Sequence, residues 1–142
     1  MFARLNLASR RFSTVNLASV TRAQVLESKD SKWIGDYLKA VTLNPSNDHV
    51  ANIDEYFRQN FRKLEARQAF EMISQLGDTH EQPAACLDGS FWTWESIEEA
   101  LMTKTHQFQD DEALQIIRAF SFNYKGSDEF MQELENRVYM AK

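Results

Sequence analysis

The sequence predicts an all-α protein, an irregular stack or bundle of about six helices arranged as helical hairpins behind a basic N-terminal arm. Three observations predict it. Apolar residues recur at the three- and four-residue spacing of a helix through most of the 142-residue chain. Only four glycines and two prolines occur, too few for many short strands and tight turns. The clearest punctuation is helical: in "YKGSDEF", residues 124–130, Gly126 suits the left-handed position past a helix end, Ser127 suits the next cap, and Asp128 and Glu129 suit its first turn. Ten Phe, three Trp and four Tyr supply core anchors, and one domain of this length hides roughly two-thirds of the surface its unfolded chain exposes.

The opening "MFARLNLASRRFSTVNLASVT" together with Arg22 carries four arginines, Arg4, Arg10, Arg11 and Arg22, and no acid precedes Glu27. Phe2, Leu5 and Phe12 can share one side of a short helix while Arg4 and Arg11 lie elsewhere. An amphipathic, Arg- and Ser-rich, acid-poor segment of this kind is the pattern of a mitochondrial targeting sequence, and "LNLAS" is too short for the apolar run of a secretory signal. "RRFSTV" also resembles the processing sites of such sequences, where an arginine precedes the cut by two or three residues. An ordinary basic arm is the alternative. The expected division is an arm over residues 1–22, removed or retained after import, and a single helical domain over residues 23–142.

The body reads as follows. From Asp30 to Val41, the residues Trp33, Ile34, Tyr37, Leu38 and Val41 keep helical spacing, and this helix can start as early as Thr21. Pro45 disfavours helix at Asn44, after which Ser46 or Asn47 can cap a second helix with Asp48 in its first turn. Val50, Ile53, Phe57, Phe61 and Leu64 form that stripe. The period then slips to Ala66, Ala69, Phe70, Ile73 and Leu76, which means either a break near Asn60 or one bent helix over residues 47–76. "LGDTHEQPAACLDGS" makes residues 77–90 the longest predicted loop. Trp94, Ile97 and Leu101 mark a short helix in which Glu95 and Glu98 suit the positive end of the dipole. Asp110, Asp111 and Glu112 open another in the same manner. There Ala113, Ile117, Phe120 and Tyr124 follow a buried face widened by Ile116 and Phe122, so packing on two sides is expected. Phe130, Leu134 and Val138 form the last stripe.

These elements pair into three hairpins: residues 30–43 with 47–59, 62–76 with 93–104, and the two halves of 110–141. Successive helix pairs at roughly 35 to 45 residues resemble helical-hairpin repeats, whose units bury a face by stacking on their neighbours. Over residues 30–141 the pattern is similar to the broad pentatricopeptide and octotricopeptide class common in mitochondria. That resemblance implies a hairpin stack and, as one possible role, an RNA-associated factor or mitoribosomal component. An irregular six-helix bundle satisfies the same stripes.

Chemistry is sparse. His80, Glu81, Cys86 and Asp88 share one predicted loop, with His49 and His106 elsewhere, but the paired close spacing of zinc ligands is missing. Cys86, the lone cysteine, cannot form an internal disulfide, and as a nucleophile it would need His80 or His106 beside it. Gly35, Gly77, Gly89 and Gly126 are isolated, so no phosphate-cradling loop of the usual types exists. Asp110, Asp111 and Glu112 lack the alternating ligand pattern of an EF-hand and read as helix capping. No apolar run approaches the roughly 18 to 20 residues needed to cross a bilayer. The expectation is therefore a non-enzymatic chain with no catalytic residue, no cofactor and no metal.

What remains are surfaces. Arg58, Arg62, Lys63 and Arg67 form the basic cluster of the body, read first as a solvated face that pairs with Asp54 and Glu71, second as a contact for an acidic partner, and third as an RNA contact. Nucleic acid is disfavoured because residues 1–20 contribute +3 of the formal net charge of −5, leaving an acidic body at −8. Phe91, Trp92 and Trp94 in "GSFWTWES" are the densest aromatic patch, and either plug the space between hairpins or anchor an interface. The sequence thus points to an accessory or scaffold subunit of a mitochondrial inner-membrane complex, such as a respiratory complex or ATP synthase. Its expected place is the matrix side, held peripherally through protein subunits.

Overall fold

The computed structural model describes residues 15–74, 76 and 91–140. Residues 1–14 of the expected targeting arm and residues 77–90 of the predicted loop, with His80, Glu81, Cys86 and Asp88, lie outside the described residues. Within them the chain forms seven α-helices and no strand: α1 (Arg22–Glu27), α2 (Ser31–Leu43), α3 (Asn47–Asn60), α4 (Ala66–Ile73), α5 (Phe91–Met102), α6 (Asp110–Phe122) and α7 (Asp128–Glu135). Short 3-10 turns cover Leu17–Ser19 and Thr105–Gln107, and a wider helical turn over Asn136–Met140 prolongs α7.

The helix limits follow from side chains that compete for the backbone. One helix from Thr21 to Val41 does not form. Thr21 and Gln24 instead make a capping box for α1, Ser28 Oγ accepts from the Asp30 N–H at 3.2 Å, and Asp30 accepts from the Trp33 N–H at 3.1 Å to start α2. Ser46 caps α3 through the His49 N–H at 3.2 Å, with Asp48 in the first turn as expected. Residues 47–76 are two helices, because α3 ends at Asn60 and Arg62 takes a left-handed backbone, φ 65°. Helix α5 begins at Phe91, so Glu95 and Glu98 lie beyond its first turn and do not serve its dipole. Glu112 does work as a cap, accepting from the Gln109 N–H at 3.0 Å at the start of α6.

At the end of α6 the left-handed position is Tyr124, φ 57°, rather than Gly126. The Lys125 N–H reaches back to the Phe120 carbonyl at 2.8 Å and the Tyr124 N–H to the Ser121 carbonyl at 3.1 Å, so the last carbonyls are satisfied before the glycine is reached. Gly126 also has positive φ, 97°, in the link to α7. Tyr124 is accordingly 89% exposed and stands off the buried face assigned to it, which is centred on Ala113, Ile116, Ala119 and Phe120.

Packing follows an alternating rule. Helix α2 packs on α4 and α4 on α6, while α1 packs on α3, α3 on α5 and α5 on α7; within pairs, α2 meets α3, α4 meets α5, and α6 meets α7. The three expected hairpins are present and stack as two layers. The core between them runs from Val25, Ile34, Tyr37 and Leu38 through Ile53, Phe57, Ala69 and Ile73 to Ile97, Leu101, Phe120, Phe130 and Leu134, all essentially without solvent exposure. Helices α2 and α4 approach closely at Gly35, where a Cβ would stand 2.8 Å from the Glu71 carbonyl oxygen and 3.1 Å from that of Met72.

Candidate functional site

The aromatic patch divides between core and surface because α5 starts inside it. Trp92 and Trp94 are two residues apart on a helix and so point to different sides. Trp92 is half-buried against Phe61, ring centres 5.2 Å apart, and its backbone N–H donates to Asp54 Oδ1 at 3.0 Å. Trp94 is 5% exposed and lies edge-on to Phe120 at 5.3 Å, extending to Phe130 a further 4.9 Å on. It is the plug between hairpins, not a surface anchor. Among the described residues its Nε1 is the one buried side-chain polar atom without a hydrogen-bond partner. Phe91 is the first residue of α5.

The basic cluster is a cluster in sequence but not in charge. Arg58 pairs with Glu55 on the next turn of α3, its Nε donating to Oε1 at 3.0 Å. Arg62, between α3 and α4, donates from Nε to Glu99 of α5 at 3.0 Å and lies over the Phe61 ring at 5.1 Å. Arg67 of α4 donates from Nη1 to Glu112 of α6 at 2.6 Å, its guanidinium 4.9 Å from the Phe108 ring centre and 5.4 Å from that of Phe70. Lys63 is exposed in the turn. The expected partners are otherwise engaged: Glu71 accepts from the Ser31 hydroxyl, tying α4 to α2, and Asp54 from the Trp92 N–H.

The pairs move the carboxylates in the direction electrostatics requires. The Arg58 hydrogen bond, helped by Gln59, holds Glu55 below the usual carboxylate range, and the same bond raises Arg58. Arg67 together with the Gln109 N–H holds Glu112 low. Burial pushes the Tyr56 phenol up to about 12, and Tyr37 is raised for the same reason against an opposing hydrogen bond from Asn52.

A polar network that sequence reasoning did not single out joins the first three helices. Tyr37 of α2 is fully buried, its hydroxyl 2.7 Å from His49 Nδ1 of α3, while Asn52 Oδ1 accepts from Arg22 Nη1 of α1 at 2.9 Å. Trp33 stacks on Tyr37 with ring centres 5.5 Å apart. His49 is thereby a structural partner. His106 is exposed in the Thr105–Gln107 turn. No group of three or more potential metal ligands occurs among the described residues, and no described helix is long and apolar enough to cross a membrane.

Two hollows flank the Arg62–Glu99 pair. One, about 540 Å³, lies between the start of α4 and the end of α5; the other, about 270 Å³, is lined by Phe61, Glu95, Glu98 and Met102. A third, about 800 Å³ and without charged walls, lies between the Leu17–Ser19 turn and the last turn of α2. No family model matches the chain, and no curated protein or solved structure matches it.

Proposed function

We propose that the chain is a non-catalytic scaffold, an accessory subunit of a mitochondrial inner-membrane complex of the respiratory-chain or ATP synthase kind, placed on the matrix side through its protein neighbours. The observation that carries a scaffold role is the use made of the polar groups: Arg58, Arg62 and Arg67 each face a carboxylate of the same chain, and Tyr37, His49 and Asn52 face one another. Arg62, Arg67, Tyr37, His49 and Asn52 are spent on joining one element to another, and Arg58 on a pair within α3. The compartment rests on the arm, whose arginines and expected cut near Phe12 and Ser13 precede Val15, a residue buried in the core at 6% exposure. A cut there falls before the first described residue.

The alternate stacking of hairpins favours a second reading, an RNA-associated helical-repeat factor or mitoribosomal component. The acidic body opposes it. Native-gel separation of mitochondrial complexes followed by mass spectrometry distinguishes the two. Migration with an oxidative phosphorylation complex is expected, whereas migration with ribosomes would give the chain to the second reading. Residues 1–22 fused to a fluorescent reporter are expected to carry it into mitochondria, and cytosolic retention of that fusion would remove the compartment.

A further inference from the structure

The two layers of helices differ in charge. In the layer of α2, α4 and α6 five acids stand against four bases, whereas in the layer of α1, α3, α5 and α7 eleven acids stand against two bases, Arg22 and Arg58. The excess lies toward the C-terminal end of the stack. Helix α5 carries Glu95, Glu98 and Glu99, α7 carries Asp128, Glu129, Glu133 and Glu135, and neither has a lysine or arginine. All but the half-buried Glu98 are exposed. Glu98 accepts from the Ser127 N–H at 3.1 Å and from the Ser127 hydroxyl at 2.7 Å, which holds the start of α7 beside α5. Both donors are neutral, so the carboxylate keeps its charge. Of the bordering cations, Arg62 faces Glu99 and Arg137 faces Asp110, while Glu95 and Glu133 make no hydrogen bond or ion pair among the described residues. Glu95 with Glu99, and Glu129 with Glu133, stand four residues apart on one helix, a spacing at which like charges repel and destabilise.

We propose that the exposed side of α5 and α7 is the docking surface for a basic segment of a partner protein. Charge complementarity fixes the sign of the partner: a nucleic acid or an anionic membrane is repelled, and a run of arginines or lysines is drawn in. The hollow of about 270 Å³ offers such a side chain a seat. Glu95, Glu98 and Glu99 line it against one cation, Arg62, and Phe61 and Met102 supply apolar wall. An arginine or lysine has the matching shape, an aliphatic stem that lies along apolar surface and a charged head that meets carboxylates. Glu129 and Glu133 continue the negative surface along α7 for further basic residues of the same segment. A bound cation also offsets the repulsion that each of these like-charged pairs imposes on its own helix. The proposal rests on the scaffold reading and names the chemistry of one of its contacts.

The test is an NMR titration of the full-length chain with an end-blocked peptide of repeated Gly-Ser-Arg-Ser, following the Met102 methyl and the backbone signals of α5 and α7. The same peptide with Glu in place of Arg, and magnesium chloride, are titrated in parallel. Saturable shifts with the arginine peptide alone are expected, weakened at least about fivefold by Glu95→Gln with Glu133→Gln. Each single variant, at an exposed position, weakens binding at least about twofold should the double variant fail to fold. Asp111→Asn, the same change of charge on α6, leaves binding as it was. Absence of saturation, or equal weakening by Asp111→Asn, overturns the surface. Saturation of the same signals by magnesium at lower concentration than the peptide overturns it in favour of a cation site. Tightening of at least about fivefold when Arg4, Arg10 and Arg11 are all replaced by Gln overturns a partner in favour of the chain's own basic arm. Because the titration uses isolated protein, its failure leaves co-migration with a complex to be judged separately.

Discussion

Replacing Gly35 by Ala sets two known quantities against each other. In the middle of an exposed helix the change stabilises by about 1 kcal/mol, since glycine loses more backbone freedom on folding. At Gly35 the added Cβ would stand 2.8 Å from the Glu71 carbonyl oxygen, 3.1 Å from that of Met72 and 3.2 Å from Met72 Cα. All three are backbone atoms, so no rotamer relieves them, and α2 must withdraw from α4 by several tenths of an ångström. That withdrawal loosens Ile34, Leu38, Ala69, Met72 and Ile73, which are at most 1% exposed. Overpacking of this kind costs about 1–3 kcal/mol, and the rigidity of the neighbours places Gly35 at the upper end. After the helix gain is subtracted, the expected net loss is about 1–2 kcal/mol, a fall in Tm of roughly 3–8 °C for a chain of this size. Urea unfolding followed by far-ultraviolet circular dichroism measures it as a lower midpoint at unchanged slope. A midpoint equal to or above the parent's would refute the close α2–α4 approach.

Four further outcomes are expected. Tyr124→Gly relieves a side chain held at φ 57° and raises stability by about 1 kcal/mol in the same assay, whereas a loss would mean the ring makes a contact despite its exposure. Gly126→Val lowers stability by about 1 kcal/mol or more, because φ is 97° and a Cβ would stand 2.9 Å from Met131 Sδ. Glu112 has a lowered folded pKa, so the unfolded chain takes its proton first. The stabilisation is present above the ordinary carboxylate pKa and lost as pH falls through the depressed value, and Glu112→Gln should flatten stability measured from pH 6 down to 3. Tyr56 runs the other way: with its folded pKa near 12, the unfolded chain releases the proton first and stability declines above pH 10, a decline that Tyr56→Phe should reduce and absorbance at 295 nm should follow.

Much of the fold was legible because it is written locally. The stripes at Ile53 and Phe57, at Ala69 and Ile73, and at Phe130, Leu134 and Val138 are buried as their spacing requires. The misreadings have local causes too. The apolar period carried a helix across Ser28–Asp30, yet Thr21 with Gln24 and Asp30 with Trp33 are capping arrangements visible in the sequence, and backbone satisfaction overrode the stripe. Gly126 looked like the residue that ends a helix, but Asn123 binds the Ala119 carbonyl at 2.7 Å and the chain turns at Tyr124 first. A glycine preference is statistical, whereas the carbonyls at a helix end must each be satisfied.

The surfaces were less legible, and Arg58, Arg62 and Arg67 show why. Sequence reasoning searches for a partner one helical turn away, which suggested Asp54 and Glu71; only Arg58 is paired at that range, and with Glu55. Arg62 and Arg67 find carboxylates 37 and 45 residues further along, a distance closed only when α4 docks beside α5 and α6. Those same bonds fix the relative positions of the helices that supply the partners, so the charge pattern and the tertiary contacts form together and neither can be read first. What a linear scan sees as four neighbouring cations becomes, after folding, two cross-links between elements, one pair within α3 and one exposed lysine.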